Sequence, residues 1–358
     1  MTENECLGRM VAPGQRRPGK PRGGVIQILV TSSCDLGCYN CTQGSNLARK
    51  PWFMTPDQFE AAADSLKGYF GVVGVFGGNP ALSKHFPAYC EILRARFPRE
   101  QLGVWCNHPR GYGKEMARTF DPGVSNLNVH LSREAYDEFK RDWPASRPFG
   151  LDRDSRHSPV FVAMRDVLKK NCGFCGGTGG LNEACTGCAD TGRVYDVDTA
   201  HDLISKCDVN QHWSAGVGVF RGELRAWFCE IAMSQSILHQ DDPAYPDTGI
   251  DPTLVYSRTG GVLPEFVDPK FKWWQLSMNE FSEQVRKHCH DCGVPLRGHG
   301  SLAQAADGDP YAAEQVSDAH LDVYRPKRAG RRIELVTTRS QLGPDHTFTK
   351  YLQHGADR

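Results

Sequence analysis

Three cysteines with a spacing suited to metal binding lie within one short segment of the chain. Cys34, Cys38 and Cys41 directly follow the apolar run VIQILV at residues 25–30. Three thiolates on one loop can hold three irons of a [4Fe-4S] cluster and leave the fourth iron open to a chelating ligand. A zinc site is the alternative, but zinc takes a fourth protein ligand and is usually held by two CxxC-like pairs. The spacing therefore predicts a [4Fe-4S] cluster with one open iron.

A second group of cysteines forms two CxxC pairs, Cys172 with Cys175 and Cys185 with Cys188. Two such pairs can surround one tetrahedral metal ion, and a small segment poor in apolar residues gains its folding energy from that metal. The pairs resemble the cysteine-rich modules of DnaJ-type chaperones. We therefore predict a structural zinc site in an insert at residues 171–194, and a role of this insert in contacting protein or nucleic acid stays open.

A third group of cysteines is spread over the second half of the chain and consists of Cys207, Cys229, Cys289 and Cys292. Cys229 ends a predicted hairpin, and the last two form a late CxxC pair. These four thiols predict either a second [4Fe-4S] cluster or a second zinc site, which an iron count separates. If Cys207 is free, an open iron can bind substrate, or the Cys207 thiol can donate a hydrogen atom.

The composition limits the class of protein. The chain has 358 residues with 42 basic and 42 acidic side chains, so its net charge gives no long-range attraction to nucleic acid or anionic membranes. Two basic runs, at 16–22 and 325–332, are interpreted as solvated segments, with a local contact to nucleic acid as the alternative. Neither a membrane-spanning apolar run nor a signal peptide is visible, so we expect a cytoplasmic protein without membrane contact. Fourteen cysteines in a reducing compartment indicate metal sites.

Apolar runs alternate with helix-forming stretches ahead of the insert, which predicts βαβ units and a parallel sheet, either open or closed into a partial barrel. The predicted strands are 25–30, 71–76, 102–107, 126–131 and 158–164. The predicted helices are 55–67, 84–96, 113–119 and 133–141. After the insert, a helix and a hairpin that turns at Arg221-Gly222 are predicted over 197–235, and a further helix over 277–288.

These patterns divide the chain into five predicted regions. They are a flexible basic arm (1–23), a core (24–170), the zinc insert (171–194), a region that ends the core and holds the third cysteine group (195–300), and a polar tail (301–358).

The first cysteine group, with its CxxxCxxC spacing after the first strand, resembles the signature of the radical S-adenosylmethionine (radical SAM) superfamily. Gly77-Gly78-Asn79-Pro80, directly after the second strand, resembles the family's GGEP-like motif, which holds the methionine amino group of SAM. The resemblance covers residues 25–165 and implies a partial (β/α)6 barrel. It departs from the usual pattern at Asn79, where Glu is common, and at Asn40, where an aromatic residue is common. Tyr39 is expected to pack against the adenine instead.

The resemblance implies an enzyme whose cluster donates one electron to SAM, which yields methionine and a 5'-deoxyadenosyl radical that removes hydrogen from an unactivated C–H bond. An external one-electron donor, flavodoxin-like or ferredoxin-like, is implied as a partner. Contacts to the SAM ribose are expected from Asn107, His130 and Ser132 at strand ends. The order of the third cysteine group resembles the twitch or SPASM auxiliary-cluster domains of such enzymes, which favours a second [4Fe-4S] cluster there. General acid and base residues are not assigned.

Motifs of this kind do not name a substrate, and three classes stay open: a nucleobase in DNA, a peptide, and a sugar or aminosugar. Trp273 and Trp274 are candidates for stacking on an extruded base. The first 23 residues are too short and polar for a leader-peptide recognition domain, which disfavours most peptide maturases.

The run Cys41-Thr42-Gln43 and the segment GVVGVFGGNP are most similar to phage-associated radical SAM proteins, which include isomerases of thymine hypermodification. That resemblance implies conversion of an N-linked glycinyl group on thymine into a C-linked one, in DNA and in the cytoplasm of the host cell. A non-catalytic zinc protein that binds nucleic acid or a protein partner is the alternative from another class.

Overall fold

The computed structural model describes residues 1–16, 24–36, 41–45, 47–48, 52–151, 160–179, 185–189, 191–257, 260–264 and 270–296. The strands are β1 (Val25–Thr31), β2 (Val72–Gly77), β3 (Leu102–Val104), β4 (Lys169–Asn171), β5 (Arg193–Tyr195), β6 (Ser214–Phe220) and β7 (Glu223–Trp227). The helices are α1 (Glu3–Arg9), α2 (Pro56–Ser65), α3 (Phe86–Arg94), α4 (Gly113–Thr119), α5 (Arg133–Asp142), α6 (Met164–Val167), α7 (Val197–Ser205), α8 (Asp208–His212), α9 (Glu230–Leu238) and α10 (Ser282–His288).

The main sheet has five strands in the order β3-β2-β1-β6-β7. The strand β1 pairs in parallel with β2 and β6, β2 pairs in parallel with β3, and β7 is antiparallel to β6. Both β1 and β2 are apolar runs buried along almost their whole length, as in a parallel sheet covered on both faces. Thr31 at the end of β1 lies opposite Gly77 at the end of β2, so the loops that follow these strands meet. The predicted α/β class with a mostly parallel sheet is confirmed.

The helices predicted ahead of the insert are confirmed as α2, α3, α4 and α5. The predicted helix and hairpin after the insert are confirmed as well, with α7 and the pair β6–β7. Arg221 and Gly222 connect these two strands with φ values of 52° and 88°, the positive values that a two-residue hairpin turn of type I′ requires. The helix predicted over 277–288 is a 3-10 turn, Met278–Phe281, followed by α10.

Two predicted strands are wrong. Over 126–131 only single bridges form, between Trp105 and Asn126 and between Asn128 and Phe149. His130 and Leu131 have φ values of 45° and 71°, which end any extended run there. In the predicted strand 158–164, the described residues 160–164 are buried but belong to none of the strands given above, and helix α6 begins at the last of them. Burial of an apolar run does not require strand pairing, and residues 158–159 lie outside the described residues.

The prediction of a flexible arm over 1–23 is wrong for residues 1–16. Helix α1 begins with a capping box formed by Thr2 and Glu5. Cys6 and Leu7 of this helix are buried in the main core, and Arg16 is fully buried. Residues 17–23 lie outside the described residues. The N-terminal segment is therefore part of the folded body. In the sequence, the Thr2-x-x-Glu5 pattern indicates the start of this helix.

The short strands β4 and β5 form an antiparallel pair at the base of the cysteine-rich insert. The four cysteines of the insert cluster apart from the main core. None of the described helices is long and apolar enough to cross a membrane. The polar tail predicted over 301–358 lies outside the described residues.

Candidate active site and metal centres

The loop after β1 carries the first cysteine group. Cys34 is partly buried and Cys41 is buried, while Cys38 and Tyr39 lie outside the described residues. Burial raises the pKa of both described thiols, and the neighbouring Cys41 raises that of Cys34 further. Thiols of this kind are neutral on their own and become thiolates when a cation compensates their charge. The described part of the loop therefore fits a metal centre.

A carboxylate ties this cluster loop to the segment that follows β3. Asp35 accepts a hydrogen bond of 2.8 Å from the side-chain amide of Asn107 and one of 3.0 Å from Nε of Arg110. Burial raises the pKa of Asp35, but these hydrogen bonds outweigh that effect and lower it below its ordinary value. Nη2 of Arg110 donates a second bond to the same oxygen, Oδ2, while Asn107 donates to Oδ1. Asp35 thus connects the cluster loop to the segment that follows the strand β3.

The glycine-rich turn after β2 packs directly on the cluster loop. The backbone amide of Gly78 donates to the carbonyl of Thr31 at 3.1 Å, and that of Asn79 donates to the carbonyl of Ser33 at 2.7 Å. A Cβ atom on Gly78 would lie 2.1 Å from the carbonyl oxygen of Ser33 and 2.8 Å from Cβ of Cys34. Only glycine allows this approach, because any side chain would displace the loop that carries the first cysteine.

The side chain of Asn79 has a structural use. It is fully buried; its Nδ2 donates to the carbonyl of His108 at 3.1 Å, and its Oδ1 accepts from the amide of Ala81 at 3.1 Å. Pro80 begins a buried 3-10 turn, Pro80–Leu82. Of the four residues of the predicted SAM motif, Gly77 and Gly78 line the main cavity. A ligand there would meet the backbone of the two glycines.

A cavity of about 780 Å³ lies at the carboxyl ends of β1, β2 and β3. In parallel sheets this edge is the usual place for a ligand. Its polar lining consists of Thr42, Gln43, Asn107, Asn126, Asn128, His130, Lys206, Asp208 and Glu230. The predicted ribose contacts Asn107 and His130 are thus at the cavity. Ser132 is not among the lining residues; its Oγ accepts from the amide of Ala135 at 3.1 Å and caps α5.

A buried carboxylate also lines this cavity. Glu230 begins α9, directly after Cys229, and it is buried. Its Oε2 accepts from Nε2 of Gln27 at 3.2 Å and from the hydroxyl of Ser214. Burial raises the pKa of Glu230, and these hydrogen bonds partly offset that effect. Sequence reasoning leaves this residue unassigned, since a charged side chain beside a hairpin is usually solvated.

Two aromatic side chains at the cavity are partly exposed, whereas the two predicted stacking residues are not. Trp213 and Phe149 line the cavity and are 46% and 39% exposed. Trp273 is fully buried and Trp274 is 6% exposed, with its indole N–H donating to the carbonyl of Ser65. The prediction that Trp273 and Trp274 stack on a base is therefore wrong, because both rings are packed in the core.

The second cysteine group is assembled as a compact set of four ligands. The sulfur atoms of Cys172 and Cys185 are 3.8 Å apart, and those of Cys175 and Cys188 are 3.7 Å apart. All four lie within 4.8 Å of one another. Zn–S bonds of about 2.3 Å place the sulfurs of a tetrahedral site about 3.8 Å apart, so the spacing fits one tetrahedral ion.

Backbone amides surround these sulfurs and favour their charged form. Gly179 donates to the sulfur of Cys175 and Gly192 to that of Cys188, each at 3.3 Å. Burial raises the pKa of Cys175, but the amides of Gly179 and Gly177 together with neighbouring thiols lower it to about 6. Burial and the neighbouring thiols raise the pKa of its partner Cys188, so the negative charge of this pair lies on Cys175. Hydrogen bonds of this kind orient metal ligands in proteins. The residues of the insert therefore fit a metal ion.

The third cysteine group also converges, on a small apolar cavity behind the main one. Cys207, Cys229, Cys289 and Cys292 all line it. All four belong to the described residues, and no three of their sulfurs lie within 4.8 Å of one another. These sulfurs are thus not gathered as closely as those of the insert, and their shared cavity is what brings the four cysteines together. Cys207 lines both cavities and so lies between the two sites.

The described structure thus has a mostly parallel sheet, with the loop of the first cysteine group after β1 and a glycine turn after β2. Residues 28–150 match the family model described as the Radical SAM superfamily, and this stretch is a radical SAM domain. No curated protein matches the chain. The family implies a [4Fe-4S] cluster, SAM and radical chemistry, and it confirms the prediction of an enzyme of this class.

Proposed function

We propose that the protein is a radical SAM isomerase that converts an N-linked glycinyl group on the thymine methyl carbon of phage DNA into its C-linked form. The reaction breaks the bond between the glycine nitrogen and the thymine methyl carbon and forms a bond from the glycine α carbon to that methyl carbon. The α carbon loses one hydrogen and the nitrogen gains one, so substrate and product have the same atoms. When bound, the cluster and SAM supply a 5'-deoxyadenosyl radical that removes hydrogen from the substrate. A glycine α carbon is a favourable position, because the amine and the carboxylate both stabilise a radical there.

The observation that supports this substrate is the mixed lining of the main cavity. Trp213 and Phe149 offer exposed aromatic faces, and stacking on such faces is a common way to hold an extruded base. Lys206 and Glu230 offer opposite charges in the same space, which suits the carboxylate and the amine of a glycinyl group. The glycines of the SAM motif line the same cavity, so SAM and substrate would share it.

The residues of the chain have separate tasks in this proposal. The backbone of Gly77 and Gly78 would bind the methionine end of SAM, and Asp35 would hold the cluster loop in place through Asn107 and Arg110. The cluster would be bound by Cys34, Cys38 and Cys41. Glu230 would orient the substrate, its carboxylate fixed by Gln27 and Ser214.

We propose zinc in the insert, bound by Cys172, Cys175, Cys185 and Cys188, and a second [4Fe-4S] cluster bound by Cys207, Cys229, Cys289 and Cys292. Four thiolate ligands close the second cluster, which then serves electron transfer or architecture. A flavodoxin-like or ferredoxin-like donor in the host cytoplasm would supply the electron. Anaerobic metal analysis tests these sites: about eight irons and one zinc per chain are expected, whereas about four irons and two zincs would make the third group a zinc site.

The substrate is tested with a DNA oligonucleotide whose glycinyl group carries deuterium at the α carbon. The reconstituted, reduced enzyme is incubated with SAM and this DNA, and the nucleosides are separated after digestion. We expect a product of changed retention and a 5'-deoxyadenosine that has gained deuterium. A Cys34→Ala variant is the control and should give neither. Release of unlabelled 5'-deoxyadenosine without a new nucleoside would reject this substrate and leave peptides and aminosugars as candidates.

A further inference from the structure

Arg16 is a fully buried cation that forms no ion pair at contact distance with any carboxylate among the described residues. Its Nε donates to the carbonyl of Val11 at 3.4 Å and its Nη2 donates to the carbonyl of Phe228. Its Nη1 is buried and has no hydrogen-bond partner among the described residues. The carboxylate of Glu230 interacts electrostatically with Arg16. It makes its hydrogen bonds with Gln27 and Ser214, however, and not with the guanidinium. A guanidinium remains charged in proteins, so this position needs a source of negative charge.

The third cysteine group lies next to this guanidinium. Phe228, whose carbonyl binds Arg16, directly precedes Cys229 in the chain. The charge of Arg16 also acts on the sulfurs of Cys229 and Cys207, which lie within electrostatic reach. Four thiolates around an iron–sulfur core or a zinc ion carry a net negative charge, which supplies what the position lacks.

We propose that Arg16 is the built-in counter-cation of an anionic metal centre held by Cys207, Cys229, Cys289 and Cys292, and that it raises the reduction potential of that centre. This inference rests on the second cluster of the proposed function. Reduction adds negative charge to a centre that is already anionic, so a cation fixed beside it favours the reduced form. The N-terminal segment thereby becomes part of the centre, with Arg16 acting as a positioning and charge-compensating residue.

The reduction potential is measured on the full chain in a background where Cys34, Cys38 and Cys41 are all replaced by Ala, so that EPR reports the second centre alone. We expect Arg16→Gln to shift the equilibrium toward the oxidised form at least tenfold, which is about 59 mV for one electron. Arg16→Lys should retain most of the original potential. Arg9→Gln, an exposed arginine of the same segment, is the matched control and should change nothing.

A second measurement covers the case in which Arg16→Gln folds poorly. The melting temperature of Arg16→Met is compared with that of the unsubstituted protein, with and without metal. Arg16→Met should lower the melting temperature of the metal-loaded protein more than that of the metal-free protein, because only the loaded protein contains the anionic centre that Arg16 compensates. A merely structural arginine would change both melting temperatures by the same amount.

The outcomes separate this inference from the proposed function. Iron in the second centre with an unchanged potential in Arg16→Gln, or equal changes of melting temperature with and without metal in Arg16→Met, would overturn the role of Arg16 and leave the isomerase untouched. Absence of any metal in the third cysteine group would overturn both the second centre and the role of Arg16. A shifted potential in an enzyme that does not convert glycinyl DNA would support Arg16 and reject only the substrate.

Discussion

The carboxylate of Asp35 and the side-chain amide of Asn107 are joined by a hydrogen bond of 2.8 Å. This bond connects the loop of the first cysteine group to the segment after β3, and Arg110 reinforces it. Asn107 also lines the main cavity, so the same residue contacts the cluster loop and the space proposed for SAM. The cluster loop is therefore connected through Asn107 to the wall of the main cavity.

Replacing Asp35 by Asn should weaken the hold on the cluster loop. The change keeps the size of the side chain but removes the charge that pairs with Arg110. Arg110 is 43% exposed, so the loss should be about 1 kcal/mol and lower the rate of 5'-deoxyadenosine formation roughly fivefold. Asp241→Asn, an exposed position, is the control. An unchanged rate and an unchanged iron content in Asp35→Asn would show that the loop holds its place without this contact.

Replacing Gly78 by Ala should disturb the cluster loop and SAM binding together. The new methyl group would lie 2.1 Å from the carbonyl oxygen of Ser33, so the backbone must move at a cost of about 1 to 3 kcal/mol. We expect the EPR signal of the reduced cluster to lose its response to SAM. Gly8→Ala, where no atom lies within 4 Å of the added methyl group, should behave as the unsubstituted protein. A normal response to SAM in Gly78→Ala would contradict the close packing of the two loops.

Replacing Cys175 and Cys185 by Ser should remove one zinc per chain and unfold the insert. The main sheet should persist, because the four cysteines of the insert cluster apart from the main core. Zinc content and limited proteolysis of residues 171–194 measure this effect. Cys90→Ala serves as control, since Cys90 is a buried cysteine outside the three groups. Unchanged zinc content in the double variant would reject the zinc site.

Local patterns in the sequence predict much of this structure, and long-range contacts account for what they miss. The period of the apolar residues identifies β1, β2 and helices α2–α5, and cysteine spacing identifies two groups that the structure brings together, in the insert and at the small apolar cavity. The sequence alone predicts that Arg16 belongs to a solvated basic run, because its buried contact is with Phe228, which lies 212 residues away. From the sequence alone, Trp273 and Trp274 are candidates for stacking on a base. Both rings are buried in the core, which the sequence does not show.

Replacing Glu230 by Gln should separate substrate recognition from SAM cleavage. Glutamine keeps the size of the side chain and can still bond to Ser214 and Gln27, but it removes the negative charge that we propose for orienting the substrate amine. A charge-assisted hydrogen bond contributes about 1.5 to 3 kcal/mol, so formation of the new nucleoside should fall roughly tenfold or more. Cleavage of SAM without substrate should stay unchanged, because Gly77 and Gly78 are not altered. Glu223→Gln, at the exposed start of β7, is the matched control. A parallel loss of both activities would mean that Glu230 supports the fold of the site, since the sheet and α9 would then be disturbed together.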